Sequence, residues 1–330
     1  GRKIGPDPAS INACKIGGIV ANNASGMCCG TAQNSYQTLA GMRLVLADGT
    51  VLDSEDERGV AAFRQSHGAL LEQLAELGRE TRANTALAER IRHKYRLKNT
   101  TGLSLNALVD FDDPLDILTH LMVGSEGTLG FISSVTYNTV LEYPHKASAL
   151  IVFPDVDTCC RAVPVLKQQP VAAVELLDRR SLRSVQNQPG LPGWVAALSD
   201  GACALLIESR AASQSLLHEQ LAQIRAALAP FPVEQQVDFT EDPAVSGQLW
   251  AIRKGTFPAV GAVRATGTTV IIEDVTFPVE QLAAGVHRLI ELFEKHGYDE
   301  AIIFGHALEG NLHFVFTQGF EDPAQVARYE

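Results

Sequence analysis

The sequence is short of positive charge, of cysteine at useful spacings and of long apolar runs, and each shortage removes a class of function. Lys and Arg number 27 against 38 Asp and Glu, a formal net charge of -11. With that balance the chain reads as carrying no basic, aromatic-interleaved stripe, which argues against a nucleic-acid partner. An anionic substrate would instead need a local cluster of cations. The apolar runs, such as 149–153 and 269–272, stop at Asp, Glu or Pro far short of the ~20 residues that cross a bilayer, so no transmembrane helix is expected.

Six cysteines stand at 14, 28, 29, 159, 160 and 203. Two pairs are adjacent, which suits neither a disulfide framework nor a C-x-x-C metal site. Free thiols fit a reducing compartment, so the expected location is cytoplasmic or peripheral to an inner membrane. The start, Gly1-Arg2-Lys3-Ile4, lacks both an initiating Met and an apolar signal core, and reads as the middle of a protein.

What is present is a chain of 330 residues, 46% hydrophobic, long enough for two domains. Residues 1–143 are rich in Gly, Asn, Ser and Thr, with β-branched runs at 42–46 and 131–140. Asp48-Gly49 is a hairpin signal. Between 59 and 97, Leu70, Leu71, Leu74, Leu77, Leu87 and Ile91 recur at helical spacing, a helical insertion in a mostly β domain. Beyond Pro144 strand, helix and strand follow in quick succession, at 149–153, 156–167 and 172–177, then at 203–208, 213–228 and 233–239. A third pass places strands at 269–275, 301–304 and 312–316 around a helix at 279–296. Repeated β-α-β units with helices free to lie on one side predict an α+β, ferredoxin-like sandwich over 144–330.

Three phrases carry chemistry. The first pairs Ile4-Gly5-Pro6-Asp7-Pro8-Ala9-Ser10 with Ile16-Gly17-Gly18-Ile19-Val20-Ala21-Asn22-Asn23-Ala24-Ser25-Gly26. Adjacent glycines let a backbone pass close to a ligand, and Asn and Ser supply donors to oxygen, so the stretch can wrap a pyrophosphate without lysine. It is neither G-x-G-x-x-G nor a Walker loop, and read alone it is also a plain set of turns.

The second is Phe304-Gly305-His306-Ala307-Leu308-Glu309-Gly310-Asn311-Leu312-His313. Two imidazoles at this spacing converge across a turn and suit a divalent metal, though two ligands do not make a site. The plainer alternative is two strand-end histidines, each with a hydrogen bond. The third is Trp250-Ala251-Ile252-Arg253-Lys254, where the fork of Arg253 suits a carboxylate. The alternative there is a surface arginine beside a helix.

The glycine phrases, with Gly124-Ser125-Glu126-Gly127-Thr128-Leu129-Gly130-Phe131-Ile132 and the strand pair ending Ala47-Asp48-Gly49-Thr50-Val51-Leu52, resemble the FAD-binding domain of the vanillyl-alcohol oxidase / p-cresol methylhydroxylase flavoproteins. Asn99-Thr100-Thr101-Gly102 resembles the Asn-Thr-Gly phrase that precedes the Gly-Ser-Glu-Gly motif. The resemblance implies FAD contacts at Pro6, Asp7, Ser10, Gly17, Gly18, Asn22, Ala24, Ser25, Gly26, Gly124, Glu126, Gly127 and Ile132. The family's upstream glycine-rich turn has no counterpart here.

The histidine phrase is similar to the Gly-His-x-x-x-Gly-Asn-Leu-His motif of the FAD-linked oxidase C-terminal domain. This implies a divalent metal, zinc by expectation, on His306 and His313, with a downstream Glu ligand and a catalytic His falling beyond Glu330. Leu308-Glu309 departs from the Gly-Asp of many relatives. The Trp-x-x-Arg likeness implies a substrate carboxylate on Arg253. Lys254, Thr256 and Arg264 are weaker candidates for a second carboxylate, Asn311 is a further substrate candidate, and Glu273-Asp274 precedes the helix expected from 279.

Taken whole, the wording is nearest the bacterial FAD and iron-sulfur D-2-hydroxyglutarate dehydrogenases. The implied activity is oxidation of a D-2-hydroxy acid by hydride transfer to flavin N5, with Arg253, His306 and His313 as catalytic groups. The implied electron acceptor is a quinone, a carrier protein or a fused iron-sulfur domain outside this sequence, and a homo-oligomer is compatible. The competing readings are D-lactate or glycolate oxidation on the same scaffold, a flavin-free binding module and, more remotely, a zinc hydrolase.

Overall fold

The computed structural model describes residues 1–8, 10–100, 102–187 and 191–330; Ala9 and Thr101 of the phrases above lie outside them. The chain divides into two compact units, Gly1–Glu142 and Tyr143–Glu330.

In unit 1 the described elements run β1 (Arg2–Lys3), α1 (Ile16–Asn22), α2 (Ser35–Thr38), β2 (Leu39–Val45), β3 (Val51–Asp53), α3 (Glu57–Ser66), α4 (Gly68–Ala83), α5 (Thr85–Lys94), α6 (Ala107–Asp110), α7 (Pro114–Met122), β4 (Phe131–Tyr137) and β5 (Val140–Leu141). The strands form a three-stranded antiparallel sheet in the order β3-β2-β4 and a separate β1-β5 pair. Asp48-Gly49 turns the β2-β3 hairpin, with Gly49 at φ +85° and the Asp48 carboxylate accepting from Thr50 N at 2.9 Å. Leu44 and Leu52 of the hairpin bury against Leu71 of α4 and Ile117 and Met122 of α7.

Two expectations change here. Unit 1 is largely helical rather than mostly β, because besides the helices over the expected insertion the runs 16–22, 35–38, 107–110 and 114–122 are helical. A basic stretch also exists. Ala88 and Ile91 of α5 pack inward with Val109, which leaves Arg90, Arg92, His93 and Lys94, with Arg96 just beyond, exposed on the other side. The acidic overall balance conceals it.

Unit 2 runs β6 (His145–Phe153), α8 (Val156–Leu166), β7 (Ala173–Leu177), α9 (Arg179–Val185), β8 (Cys203–Ala211), α10 (Gln214–Leu228), β9 (Gln235–Thr240), α11 (Pro243–Val263), β10 (Thr268–Thr276), α12 (Leu282–Lys295), β11 (Ile302–His306), β12 (Asn311–Gly319) and α13 (Pro323–Tyr329). One seven-stranded antiparallel sheet has the order β10-β12-β11-β7-β8-β6-β9. Its β9-β6-β8-β7 portion, built as β-α-β-β-α-β with α9 inserted between β7 and β8, is the ferredoxin-like arrangement expected. β11, β12 and β10 extend the same sheet through the β7-β11 pair.

The helices do not lie on one side only. Cys159 and Val163 of α8, Leu217 and Ile224 of α10 and Val286 and Leu289 of α12 pack on one face. Leu182 and Val185 of α9 and Leu249 and Ile252 of α11 cover the opposite face, against Leu150, Val152, Leu177 and Leu206. The second cover was missed because α11 shows no apolar stripe. It carries Gly247, Gly255, Gly261 and an internal Pro258, and its apolar residues are spread around the axis.

Cys14, Cys29, Cys159, Cys160 and Cys203 are free thiols. Among the described residues no helix is long and apolar enough to cross a membrane.

Candidate active site

The glycine phrases of unit 1 meet. Gly124 N donates to Val20 O at 3.1 Å and Glu126 N to Ala21 O at 2.9 Å, so the Gly-Ser-Glu-Gly turn is laced to the end of α1. Asn22 Nδ2 adds a bond to Glu126 Oε1 at 2.6 Å. The Asn-Thr-Gly phrase joins them, with Asn23 Nδ2 donating to Asn99 O at 3.2 Å and Asn22 Nδ2 reaching Thr100 O at 3.5 Å. The approach is close enough that a Cβ on Gly124 would lie 2.7 Å from Gly102 O.

Left-handed backbone at Gly124, Glu126 and Gly127 (φ +84°, +52° and +76°) makes the turn, and only the glycines adopt it without penalty. Gly26 is needed for a different reason, since a Cβ there would lie 1.8 Å from Asp7 O.

This cradle has the properties a dinucleotide needs. Gly17, Gly18 and Gly127 face open space. The hydroxyls of Ser25 and Ser125 are buried without a hydrogen-bond partner among the described residues, the condition of donors awaiting an acceptor.

Other expected contacts are placed differently. Asp7 spends its carboxylate inside the unit, accepting from Cys29 N at 3.1 Å and lying 3.6 Å from Lys3 Nζ. Pro6 is buried, Ser10 is exposed, and Ala24 and Ile132 are half-buried.

Unit 2 gathers the second cluster on the sheet face covered by α11. His306 ends β11, His313 lies near the start of β12, and the two rings sit edge to face with centroids 5.1 Å apart. Gly310, at φ +63°, closes the turn between them.

Each ring has a carboxylate on Nδ1. Glu175 Oε1 lies 2.7 Å from His306 Nδ1, and Asp274 Oδ1 bonds His313 Nδ1. A carboxylate there holds the ring proton on Nδ1 and makes Nε2 the lone-pair nitrogen.

Glu175 also accepts from Arg253 Nε at 2.6 Å, and the guanidinium lies 4.5 Å above the Phe304 ring. Arg253 is 5% exposed, and its Nη groups have no hydrogen-bond acceptor among the described residues. Burial alone would raise the Glu175 pKa, but His306 and Arg253 outweigh it and hold the carboxyl down at about 2.

Arg253, His306 and His313 thus come together, with Asn311 directly opposite His306 in the β11-β12 register, and the remaining substrate candidates are placed elsewhere. Lys254 is exposed one step around α11. The Thr256 hydroxyl donates back to Arg253 O within the helix. Asn311 Nδ2 lies 3.4 Å from Val275 O and 3.3 Å from Thr276 Oγ1, which braces β12 against β10. Arg264 bonds the carbonyls of Gly261 and Thr268.

Sequence reasoning missed Glu175, hidden in an apolar strand, and gave Asp274 no role. For a metal, the two imidazoles are the right donors, but no group of three His, Cys, Asp or Glu able to hold one occurs among the described residues.

A glycine-rich cradle in one unit and an α+β sheet covered on both faces in the other match the p-cresol methylhydroxylase type of architecture. The pattern of the FAD linked oxidases, C-terminal domain, matches residues 143–330, and that of an FAD binding domain matches residues 1–55. The chain belongs to the FAD-linked oxidase family.

Among curated relatives, D-2-hydroxyglutarate dehydrogenase of Pantoea ananatis is 23% identical over 338 residues, covering 97% of this chain and 32% of the relative. Glycolate oxidase subunit GlcD of Bacillus subtilis is 28% identical over 219 residues, covering 64% and 44%. The mitochondrial D-lactate dehydrogenase [cytochrome] of Arabidopsis thaliana is 31% identical over 198 residues, covering 59% and 33%. The chain therefore spans between 32% and 44% of the length of these relatives.

Among solved structures, alkyldihydroxyacetonephosphate synthase superposes with a TM-score of 0.62 at 14% identity, covering all of this chain and 56% of that one. p-Cresol methylhydroxylase gives 0.53 at 11% identity, covering 94% and 56%. At these identities the likeness is one of fold.

Proposed function

We propose that the protein containing this chain oxidises a D-2-hydroxy acid, D-2-hydroxyglutarate by first choice, to the 2-oxo acid. The observation that carries the reading is Arg253, a buried guanidinium whose Nη edge has no acceptor among the described residues, beside two carboxylate-tethered imidazoles. FAD, when bound, supplies the hydride acceptor at N5.

The chain's own residues supply the rest. The first-turn amides of α1 at Gly17 and Gly18, the open Gly127 turn and the Ser25 and Ser125 hydroxyls hold the dinucleotide. The Nη fork of Arg253 binds the α-carboxylate. The Nε2 nitrogens of His306 and His313 face the substrate hydroxyl as proton acceptors.

Where a divalent metal is present, zinc by first choice, those same Nε2 atoms together with a group outside this chain would hold it, and they would then not take the proton. Its support is a charge count. Glu175 already neutralises Arg253, so an incoming carboxylate calls for a further positive charge on the rings.

The second reading is a monocarboxylate, D-lactate or glycolate. It gains from Lys254 and Thr256, the candidates for a second carboxylate, being turned away from Arg253 or already bonded. Steady-state oxidation of D-2-hydroxyglutarate, D-lactate and glycolate by the full-length protein, with a dye as electron acceptor, separates the two. A higher kcat/KM for the dicarboxylate supports the first choice, and preference for a monocarboxylate replaces it with the second. Colourless full-length protein inert toward all three acids would remove both in favour of a binding module.

A further inference from the structure

Glu175 stands at the centre of β7 with no exposed surface, between Val174 and Leu176 of the main core. Replacing the whole Glu175–Arg253 pair by apolar residues of similar volume would cost little, because desolvating two charges offsets what their attraction returns, whereas removing Glu175 alone would strand a buried guanidinium. A charge kept there therefore points to a role in orientation.

The register explains which partners it can hold. β7 pairs with β11 so that Glu175 lies directly opposite His306. The helix α11 crosses the same face and brings down Arg253. The two carboxylate oxygens are divided between them, Oε1 to His306 Nδ1 at 2.7 Å and Oε2 to Arg253 Nε at 2.6 Å. His313 has a carboxylate of its own in Asp274, and Glu175 joins the other imidazole to the guanidinium.

We propose that Glu175 is the positioning residue of the site: one carboxylate fixes the His306 proton on Nδ1 and turns the Nη edge of Arg253 toward the same ligand. The proposal rests on the reading of Arg253 and His306 given under Proposed function. Through Nε the guanidinium is tied at one corner only, which leaves its two-nitrogen edge for a carboxylate. Through Nδ1 the imidazole has a single tautomer, so Nε2 accepts rather than donates. Anion binding and proton acceptance are thereby set by one side chain that touches no substrate.

Glu175→Gln tests this in the whole chain. The amide keeps the volume of Glu175, and its carbonyl can still accept from Arg253 Nε. Its NH2 then meets His306 Nδ1, so the ring proton must move to Nε2.

Long-range 1H–15N spectra of histidine-labelled protein, with the His306 signal assigned by His306→Asn, should show Nδ1–H in the parent and Nε2–H in E175Q. The same tautomer in both proteins overturns the proposal. In flavin-loaded full-length protein, E175Q should lower kcat roughly 10- to 100-fold while KM moves less than about 3-fold, because the guanidinium contact survives. A rise in KM with kcat unchanged would contradict the proposal.

If E175Q fails to fold, Glu175→Asp serves instead. It should keep the parental tautomer and more than about a tenth of the parental kcat, and Nε2–H in that variant overturns the proposal. The tautomer measurement needs neither flavin nor substrate. Protein that oxidises no hydroxy acid would therefore count against the functional reading alone, with the Glu175 proposal still decided by the spectra.

Discussion

Gly124 N–H donates to the carbonyl of Val20 across 3.1 Å, although the two residues come from distant parts of the sequence. That bond draws two glycine-rich phrases, one in α1 and one after α7, into a single cradle. The cradle makes a sharp distinction between glycines kept for folding and glycines kept for a ligand.

Gly17 lies in α1, and a Cβ there meets nothing within 4 Å. Gly17→Ala should therefore raise stability by about 0.5–1 kcal/mol through helix propensity. It should nonetheless lower flavin content roughly tenfold if the pyrophosphate passes over that position, a loss of about 1.4 kcal/mol in binding. Gly26→Ala should lose both, since its Cβ would collide with the Asp7 backbone. Thermal unfolding and flavin absorbance on the same samples separate the two behaviours.

Removing Arg253 should be costly because of what it leaves behind. Arg253→Met strands a fully buried Glu175 carboxylate and should destabilise unit 2 by about 3–5 kcal/mol. Adding Glu175→Met should return much of that loss. Denaturant unfolding of the parent, both single variants and the double variant gives the coupling. A double variant no more stable than Arg253→Met would show that the pair is not energetically linked.

Asp178 offers a test in pH. Its carboxylate accepts from Ser181 N at 2.7 Å to cap α9, yet burial pushes its pKa up to about 6. A carboxyl whose folded pKa lies above the unfolded value stabilises the fold below pH ~4, and loses that contribution as pH rises through about 6. Asp178→Asn keeps a capping oxygen without the charge. It should be more stable than the parent at pH 7 by about 1–3 kcal/mol and should flatten the decline between pH ~4 and ~6. An unchanged pH slope in urea melts would contradict this.

Much of unit 2 was legible because its strands and amphipathic helices have clean periods. The helix expected at 156–167 is Val156–Leu166, and the strand expected at 269–275 is Thr268–Thr276. The 21-residue helix Pro243–Val263 was not, because glycine, alanine and an internal proline leave it no stripe to read. Its absence from the expected fold is why Arg253 could also be read as a surface residue.

The histidines were visible as a spaced phrase, but their carboxylates were not. Glu175 sits in an apolar strand, and only the β7-β11 register puts it beside His306. In unit 1 the glycines of α1 hid a helix while advertising a cradle, since the same residue type serves both close approach and chain reversal.

The most direct test of the account is anaerobic addition of a D-2-hydroxy acid to flavin-loaded full-length protein, followed at the flavin absorbance bands, in the parent and in Arg253→Lys. The account predicts rapid bleaching in the parent and bleaching at least roughly tenfold slower in the variant, whose ammonium cannot present a two-nitrogen fork to a carboxylate. Bleaching at the same rate in both proteins, or a parent that carries flavin and bleaches with none of the three acids, would contradict it.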